Sequence, residues 1–194
     1  DAVLAVTAYY NKATQKGLYQ MYTRIADEST VPVILYNVPS RTGCNISLPV
    51  YKELAKHERI VAVKEASGNM SAIAELIAEC GDYIDVYSGN DDQIVPIMSL
   101  GGKGVISVLS NILPAETSAI CKKFLAGDVK GARDMQLRYI PLINALFSEV
   151  NPIPAKAACA AMGFGENYLR LPLTPMSKDK EAVLLDLMRA ENLI

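Results

Sequence analysis

The chain has 194 residues, 51% of them hydrophobic, and a formal net charge of −2. This is enough apolar material for one sizeable core, while the mixed, slightly acidic charge argues against nucleic acid as a partner. No apolar run approaches the roughly 20 residues of a membrane span, and one histidine with four cysteines that lack C-x-x-C spacing leaves almost no ligands for a transition metal. We therefore expect a cytoplasmic globular protein that has core cysteines, reduced thiols and no metal.

Strand-like apolar runs alternate with helical segments from the first residues onward. The predicted strands cover residues 2–7, 31–38, 60–68, 84–87 and 104–108. The predicted helices cover residues 17–29, about 48–55, 72–80 and 94–100, with Ser47 as a cap of the second and Asn69 or Ser71 at the start of the third. Because the strands are almost wholly apolar, they indicate a parallel sheet that is covered on both faces.

Two α/β architectures fit this alternation: an open doubly wound sheet and a (β/α) barrel. A dinucleotide-binding doubly wound sheet predicts G-x-G-x-x-G after a strand, and no predicted strand is followed by it. A barrel predicts functional side chains at the carboxyl ends of several strands. Candidates occur at those positions, namely Tyr10, Tyr36, Lys64, Gly89 and Ser107. The pattern favours a barrel, of which the chain supplies five βα units.

Only helices are predicted from residue 113 to the end of the chain, at 114–126, 129–147, 151–162 and 178–190. We therefore divide the chain into a barrel portion, residues 1–127, and a C-terminal helical domain, residues 128–194. In the long helix, Leu137, Ile140, Ile143 and Leu146 have the spacing of one buried face.

Lys64 is the most unusual residue of the predicted strands. Alternation places it on the same face as Ile60 and Ala62, and opposite Val61, Val63 and Glu65. A poorly solvated ammonium loses its proton more readily, which makes Lys64 a candidate nucleophile toward a carbonyl. The alternative is a lysine whose stem packs against the sheet while its head reaches solvent.

Five motifs follow one another in a fixed order. They are Y-Y-N at 9–11, Y-N-V-P-S-R-T-G at 36–43, V-K-E-A at 63–66, G-G-K-G-V-I-S at 101–107 and N-P-I-P at 151–154. Together they resemble the dihydrodipicolinate synthase family, the pyruvate-dependent class I aldolases related to N-acetylneuraminate lyase. The resemblance covers the whole chain and implies a (β/α)8 TIM barrel, here only its last five βα units, strands four to eight, plus the C-terminal helices. Arg41, Glu65 and the N-P-I-P segment favour the synthase over sialic acid lyases and sugar-acid aldolases.

The resemblance implies a lyase of lysine and diaminopimelate biosynthesis. Lys64 would form a Schiff base with pyruvate, and the resulting enamine would attack aspartate 4-semialdehyde to give 4-hydroxy-tetrahydrodipicolinate, with no cofactor beyond this covalent imine. Tyr36 would relay protons, unless it is simply a packed aromatic residue with a satisfied hydroxyl. Arg41 would bind a substrate carboxylate through its planar fork, unless it is a solvated loop arginine.

Other expected roles come from the same resemblance. Tyr10 would complete the proton relay of a neighbouring subunit across a tight interface, and Tyr9 would be its partner at that interface, near an allosteric lysine site. Ile106, Gly89 and Asn90 would line the pyruvate pocket through backbone groups. The implied assembly is a homotetramer or homodimer.

The sequence also departs from the family pattern. Ala8 and Ala13 stand where proline is common, and a G-T-T-G-E segment of the family's first strands does not occur. The chain opens directly into a strand, without methionine or signal peptide, so we expect a piece of a longer polypeptide whose 194 residues alone are inactive and poorly soluble. Two alternatives stay open: a sister aldolase that acts on a sugar acid, and a non-catalytic fragment.

Overall fold

The computed structural model describes residues 1–194 and divides into two compact units, residues 1–106 and residues 107–194. The first unit holds one parallel sheet in the order β1-β2-β3-β4-β5. Its strands are β1 (Val3–Val6), β2 (Val33–Asn37), β3 (Ile60–Glu65), β4 (Asp85–Ser88) and β5 (Gly104–Val105). Its helices are α1 (Gln15–Glu28), α2 (Pro39–Thr42), α3 (Leu48–Leu54), α4 (Met70–Cys80) and α5 (Ile94–Ser99).

The strand order confirms the predicted fold class. A doubly wound sheet reverses its strand order at a switch point, whereas the strands of a (β/α) barrel follow one another in chain order. All five strands here pair with their neighbours in sequence, in parallel and without reversal. The first unit is therefore an arc of five βα units from a (β/α) barrel.

The main core lies between the sheet and its covering helices. Leu35, Val63 and Val86 point from successive strands toward the helices and are at most 3% exposed. They pack with fully buried helix residues such as Leu18 of α1 and Leu76 of α4. Because side chains alternate along a strand, the residues between these core positions lie on the opposite face of the sheet.

A β-bulge at the start of β3 corrects the predicted alternation. Val33 pairs with Ile60, but Ile34 pairs with Ala62, so Val61 is skipped in the register. As a result Ile60 joins the helix-side core and Val61 is 38% exposed. The prediction that Ile60 shares a face with Lys64 is wrong, whereas the alternation from Ala62 to Glu65 is confirmed.

Several element boundaries also differ from the predictions. The segment after β2, predicted as a loop, contains the helical turn α2, and β5 ends at Val105 rather than at residue 108. Short 3-10 turns occupy Asp91–Gln93 and Leu109–Asn111. Asn69 caps α4 by accepting from the Ala72 N–H, but Ser47, at the start of α3, makes no side-chain cap bond.

The second unit is helical, as predicted. It contains α6 (Pro114–Leu125), α7 (Val129–Leu146), α8 (Ile153–Ala161) and α9 (Lys178–Ala190). α6 packs on α7, and both α7 and α8 pack on α9. The proposed boundary between residues 127 and 128 stays a prediction. None of the helices combines the length and the apolar character needed to cross a bilayer.

The buried face of α7 is not quite the predicted one. Ile143 and Leu146 are buried as expected, but Leu137 is 57% exposed. Tyr139 and Gln136 lie on the buried face instead. The buried face has helical spacing, but it includes Gln136 in place of the adjacent Leu137. An apolar pattern misses such a face because it leaves out polar residues.

Candidate active site

Lys64 and Tyr36 form the centre of the candidate site. Parallel pairing places Val6, Tyr36, Lys64 and Tyr87 in one row across four strands, on the face opposite the helix-side core. Lys64 and Tyr36 are both half-buried, and the Lys64 Nζ lies 4.3 Å from the centre of the Tyr36 ring. A cation over a tyrosine ring is attracted by the electron-rich face of that ring. The structure thus brings together the two residues expected to carry the chemistry.

Burial changes the protonation of Lys64. The loss of solvent around the ammonium lowers the pKa of Lys64 below its ordinary value of 10.5. The nearby Asp91 carboxylate acts in the opposite direction and raises this pKa, while Arg41 lowers it further. Since desolvation is the largest cause, the amine is neutral more often than that of a surface lysine, as a nucleophile requires.

Arg41 is placed beside this pair by the helical turn α2. Val38 precedes the turn, and Gly43 ends it with φ 66°, a left-handed conformation that suits glycine. The Arg41 charge lowers the pKa of both Lys64 and Tyr36, although burial makes the net shift of the Tyr36 pKa upward. Arg41 itself is exposed, so its guanidinium can meet a ligand at the carboxyl end of the sheet.

Gly89 and Asn90 follow β4, which pairs with the Lys64 strand, and Ile106 follows β5, which pairs with β4. Their amide N–H groups are already used: Gly89 donates to the Glu65 carbonyl at 2.7 Å, and Ile106 donates to the Ser88 carbonyl at 2.9 Å. The Asn90 N–H donates to the Ser88 hydroxyl at 3.1 Å. Their expected role in lining a pyruvate pocket stays a prediction, and it would have to use groups other than these N–H donors.

Tyr9 and Tyr10 are not enclosed with Lys64 in this chain. Tyr9 is 69% exposed and Tyr10 is 91% exposed. Tyr10 has φ 68° at the centre of a tight turn in which the Asn11 N–H donates to the Tyr9 carbonyl at 2.8 Å. Their expected roles at a subunit interface stay predictions.

Two residues of the site were not singled out in the sequence. Tyr87 flanks Lys64 on the side opposite Tyr36, and burial raises the pKa of its hydroxyl. Asp91 is 1% exposed, and its charge acts on Lys64. Asp91 could have been noticed as an acidic residue just beyond a strand end. Tyr87 could not have been noticed, because only the β3–β4 register shows that it lies beside Lys64 on the same face of the sheet.

No three His, Cys, Asp or Glu side chains converge in a way that could hold a metal ion. All four cysteines are free thiols; Cys44 and Cys80 are buried, while Cys121 and Cys159 are only half-buried. The prediction of core cysteines is therefore confirmed for the first two, and it is wrong for the last two in so far as they retain solvent contact.

Comparison with known proteins agrees with this arrangement. The model of the dihydrodipicolinate synthetase family matches residues 1–191. The chain is 57% identical over 195 residues to 4-hydroxy-tetrahydrodipicolinate synthase of Lachnoclostridium phytofermentans, an alignment that covers the whole chain and 66% of that relative. The chain thus spans about two thirds of the relative's length.

Solved structures give the same result. Dihydrodipicolinate synthase from Thermotoga maritima superposes with a TM-score of 0.97 at 38% identity, over 100% of this chain and 67% of that one. The chloride-inhibited synthase from Acinetobacter baumannii complexed with pyruvate superposes with a TM-score of 0.96 at 41% identity, over the same shares of the two chains. A lysine over a tyrosine ring at the carboxyl end of a parallel sheet, a family model that matches nearly every residue and these close superpositions lead to one conclusion: the chain belongs to the dihydrodipicolinate synthetase family.

Proposed function

We propose that this chain carries the Schiff-base lysine of a 4-hydroxy-tetrahydrodipicolinate synthase, a lyase of lysine and diaminopimelate biosynthesis that condenses pyruvate with aspartate 4-semialdehyde. The observation that carries the proposal is the half-buried amine of Lys64, whose lowered pKa and position over the Tyr36 ring suit attack on a keto acid. The names of the relatives support the choice of reaction, and the pyruvate complex of the Acinetobacter baumannii enzyme supports the choice of the first substrate.

In the proposed first step, the neutral Lys64 amine attacks the keto carbon of pyruvate. The carbinolamine takes up one proton, loses one water molecule and becomes a protonated imine, so the covalent intermediate is built from the protein's own lysine and needs no cofactor. The positive imine draws electrons from the neighbouring methyl group. Loss of one methyl proton then gives an enamine, which is a carbon nucleophile.

In the proposed second step, the enamine carbon attacks the aldehyde carbon of aspartate 4-semialdehyde. The new carbon–carbon bond converts the aldehyde oxygen into a hydroxyl and regenerates the imine. The amino group of the semialdehyde portion then attacks the imine carbon and expels the Lys64 amine, which closes the ring of 4-hydroxy-tetrahydrodipicolinate. The net reaction joins the two substrates and releases one water.

Tyr36 and Arg41 have distinct roles in this proposal. The Tyr36 hydroxyl donates and accepts the protons that move when the carbinolamine breaks down and when the aldehyde oxygen becomes a hydroxyl, because its ring already lies beside the reacting amine. Its raised pKa keeps the hydroxyl protonated before the reaction. The Arg41 guanidinium pairs with a substrate carboxylate and, by its charge, favours the neutral form of Lys64.

Assembly and location are part of the same proposal. We propose a cytoplasmic homotetramer or homodimer in which Tyr9 and Tyr10 lie at an interface, with Tyr10 serving the neighbouring site. The exposure of Tyr9 (69%) and Tyr10 (91%) supports this, because large exposed aromatic residues are enriched where subunits meet. Analytical ultracentrifugation of the complete polypeptide tests it: Tyr10→Ala is expected to weaken association, and a monomeric wild type would refute it.

The 194 residues alone are expected to be inactive. β1 is an edge of the sheet, and Val3, Leu4 and Val6 are 38–44% exposed on it. An apolar edge strand with this exposure is a pairing and aggregation site unless another segment covers it. Comparing the turnover of the 194-residue chain with that of the complete polypeptide tests this expectation, and equal turnover would overturn it.

A substrate panel tests the function. The complete polypeptide is assayed with pyruvate plus aspartate 4-semialdehyde, and separately for cleavage of sialic acid and of a 2-keto-3-deoxy sugar acid. We expect efficient turnover only in the first assay. Turnover of a sugar acid alone would establish the sister aldolase, and no turnover in any assay would favour a non-catalytic role.

A further inference from the structure

A second row of polar residues lies directly behind the candidate active site. Each member directly follows a residue of the Lys64 row along the chain, and therefore points to the helix-side face of the sheet. All four are buried, with at most 3% exposure: Thr7, Asn37, Glu65 and Ser88. Asn37 pairs with Glu65, and Glu65 pairs with Ser88 in the sheet register.

The Glu65 carboxylate is the centre of this row. The Asn37 Nδ2 donates to its two oxygens at 3.2 and 3.0 Å, the Tyr51 hydroxyl donates at 3.0 Å, and the Ser67 N–H donates at 2.7 Å. Burying a carboxylate costs free energy unless it is hydrogen-bonded, and here both of its oxygens accept hydrogen bonds. Burial and the neighbouring Glu65 raise the pKa of Tyr51, so that its hydroxyl remains a donor.

Asn37 extends the network to the segment that follows Arg41. Its Nδ2 also donates to the Asn45 Oδ1 at 2.8 Å, and its Oδ1 accepts from the Ile46 N–H at 3.2 Å. The chain that leaves α2 is thereby tied to the end of β2. Through the Asn37–Glu65 contact it is tied to the end of β3 as well.

Three members of the row, all except Thr7, also hold the segment that follows their own strand. Glu65 accepts from the Ser67 N–H, and the Ser88 Oγ accepts from the Asn90 N–H at 3.1 Å. Asn37 does the same for Ile46. The row therefore connects three neighbouring strand ends, and the segments that leave them, on the face that a substrate would not reach.

The consequence for Lys64 is geometric. Asn37 directly follows Tyr36, and Glu65 directly follows Lys64. The hydrogen bond between Asn37 and Glu65 therefore limits how far Tyr36 and Lys64 can slide past each other or separate. The charges that shift the pKa of Lys64 come from Asp91 and Arg41, so Glu65 influences Lys64 mainly through position. Displacement of reacting groups by about 1 Å can cost roughly 100-fold in rate.

We propose that Glu65, with Asn37 and Tyr51, is a positioning residue that holds the Lys64–Tyr36 pair and the Arg41 segment from behind the sheet. The inference rests on the proposed function, because it assigns these residues a role in the Schiff-base chemistry of Lys64. It also gives a reason for burying a carboxylate among hydrogen-bond donors, because such a group is costly to bury unless it is paired.

Two Tyr→Phe substitutions in the complete polypeptide, at different positions, test the proposal. Tyr51→Phe removes the hydroxyl that donates to Glu65. Tyr22→Phe is the matched control, because Tyr22 is also fully buried and donates one hydrogen bond, to the Ala5 carbonyl at 3.2 Å. We expect Tyr51→Phe to lower kcat, and to slow borohydride trapping of pyruvate, by about tenfold relative to Tyr22→Phe at similar Tm. Equal kinetics of the two variants would overturn the proposal.

Glu65 itself provides a rescue experiment. Glu65→Ala removes every acceptor, whereas Glu65→Gln keeps the shape and one carbonyl oxygen. We expect a loss of about 100-fold in kcat for Glu65→Ala and recovery of most of it in Glu65→Gln. If folded Glu65→Gln were as inactive as folded Glu65→Ala, hydrogen-bond positioning would be wrong and the charge itself would be required.

Wild-type trapping separates the two proposals. If the wild type forms a pyruvate adduct at Lys64 and Tyr51→Phe behaves like Tyr22→Phe, only the positioning role fails. If the wild type forms no adduct at Lys64, the proposed function fails, and the positioning role fails with it.

Discussion

The Lys64 Nζ lies 4.3 Å from the centre of the Tyr36 ring, across the β2–β3 pairing. The contact joins the only lysine found within the five strands to a tyrosine ring on the same face of the sheet. It places a nucleophile and a proton-transfer group side by side, and burial of the amine favours its neutral form.

The pH dependence of imine formation is the first prediction. Because burial lowers the pKa of Lys64 below 10.5, the rate of pyruvate trapping should rise with pH and level off below that value. Asp91 raises this pKa, so Asp91→Asn should move the midpoint to lower pH. Arg41 lowers it, so Arg41→Gln should move the midpoint to higher pH.

Trapping rates measured from about pH 6 to about pH 11 on the complete polypeptide and on both variants provide the readout. Shifts in opposite directions are expected. Two shifts in the same direction, or a wild-type midpoint at the ordinary lysine value, would show that these neighbours do not control the amine.

Loss of the Tyr36 hydroxyl is the second prediction. Tyr36→Phe keeps the ring beside Lys64 and removes only the proton-transfer group, so kcat should fall by about 10²–10⁴-fold. Tyr83→Phe is the control, since Tyr83 is 71% exposed and lies outside the site. Steady-state kinetics give the kcat of both variants. Equal kcat values for Tyr36→Phe and Tyr83→Phe would show that the Tyr36 hydroxyl takes no part in the reaction.

The close approach of the β3 and β4 ends gives the third prediction. A Cβ at Gly89 would lie 2.5 Å from the Ala66 Cβ and 3.2 Å from the Glu65 carbonyl oxygen, so these strand ends must separate to accept it. Gly89→Ala should therefore lower the free energy of unfolding by about 1–3 kcal/mol.

Gly17→Ala provides the contrast. Gly17 lies in α1, and its added Cβ would meet the Thr14 Oγ1 at 3.4 Å. This substitution should stabilise the protein by about 0.4–1 kcal/mol, because it restricts the unfolded chain. Urea unfolding measures both changes, and a Gly89→Ala variant as stable as wild type would show that the strand ends adjust freely.

Helix capping gives the fourth prediction. The Asn69 side chain accepts from the Ala72 N–H at 3.2 Å at the start of α4, whereas Ser47 occupies the same position in α3 without such a bond. Asn69→Ala should cost about 1 kcal/mol of stability, and Ser47→Ala only a few tenths. Thermal unfolding of the two variants compares them directly, and equal losses would contradict the observed difference in capping.

Much of the barrel portion could be predicted because its signals are local. Apolar strands, polar residues at their carboxyl ends and the absence of a dinucleotide-binding motif indicated a parallel barrel arc, and the strand order confirms it. The position of Lys64 next to Tyr36 also follows from two strand ends that meet at one edge of the sheet. Alternation alone, however, could not show the bulge at Val61, because a skipped residue leaves the apolar run intact.

The parts that could not be predicted depend on contacts between distant residues. Glu65 accepts hydrogen bonds from Tyr51 and Asn37, which are 14 and 28 positions away in the sequence. No local sequence pattern indicates either partner. The turn α2 was missed because four residues that begin with proline are too short for helical periodicity. On α7, an apolar pattern predicts a buried Leu137 and passes over Gln136, because it does not include polar residues that pack in the core.

The most direct test of the central claim is borohydride reduction of the complete polypeptide in the presence of pyruvate, followed by peptide mapping. The account predicts one stable adduct, on Lys64, that is absent in Lys64→Arg and retained in Lys103→Arg, since Lys103 is an exposed lysine of the same unit. An adduct on another lysine, or no adduct under conditions of full activity, would contradict it.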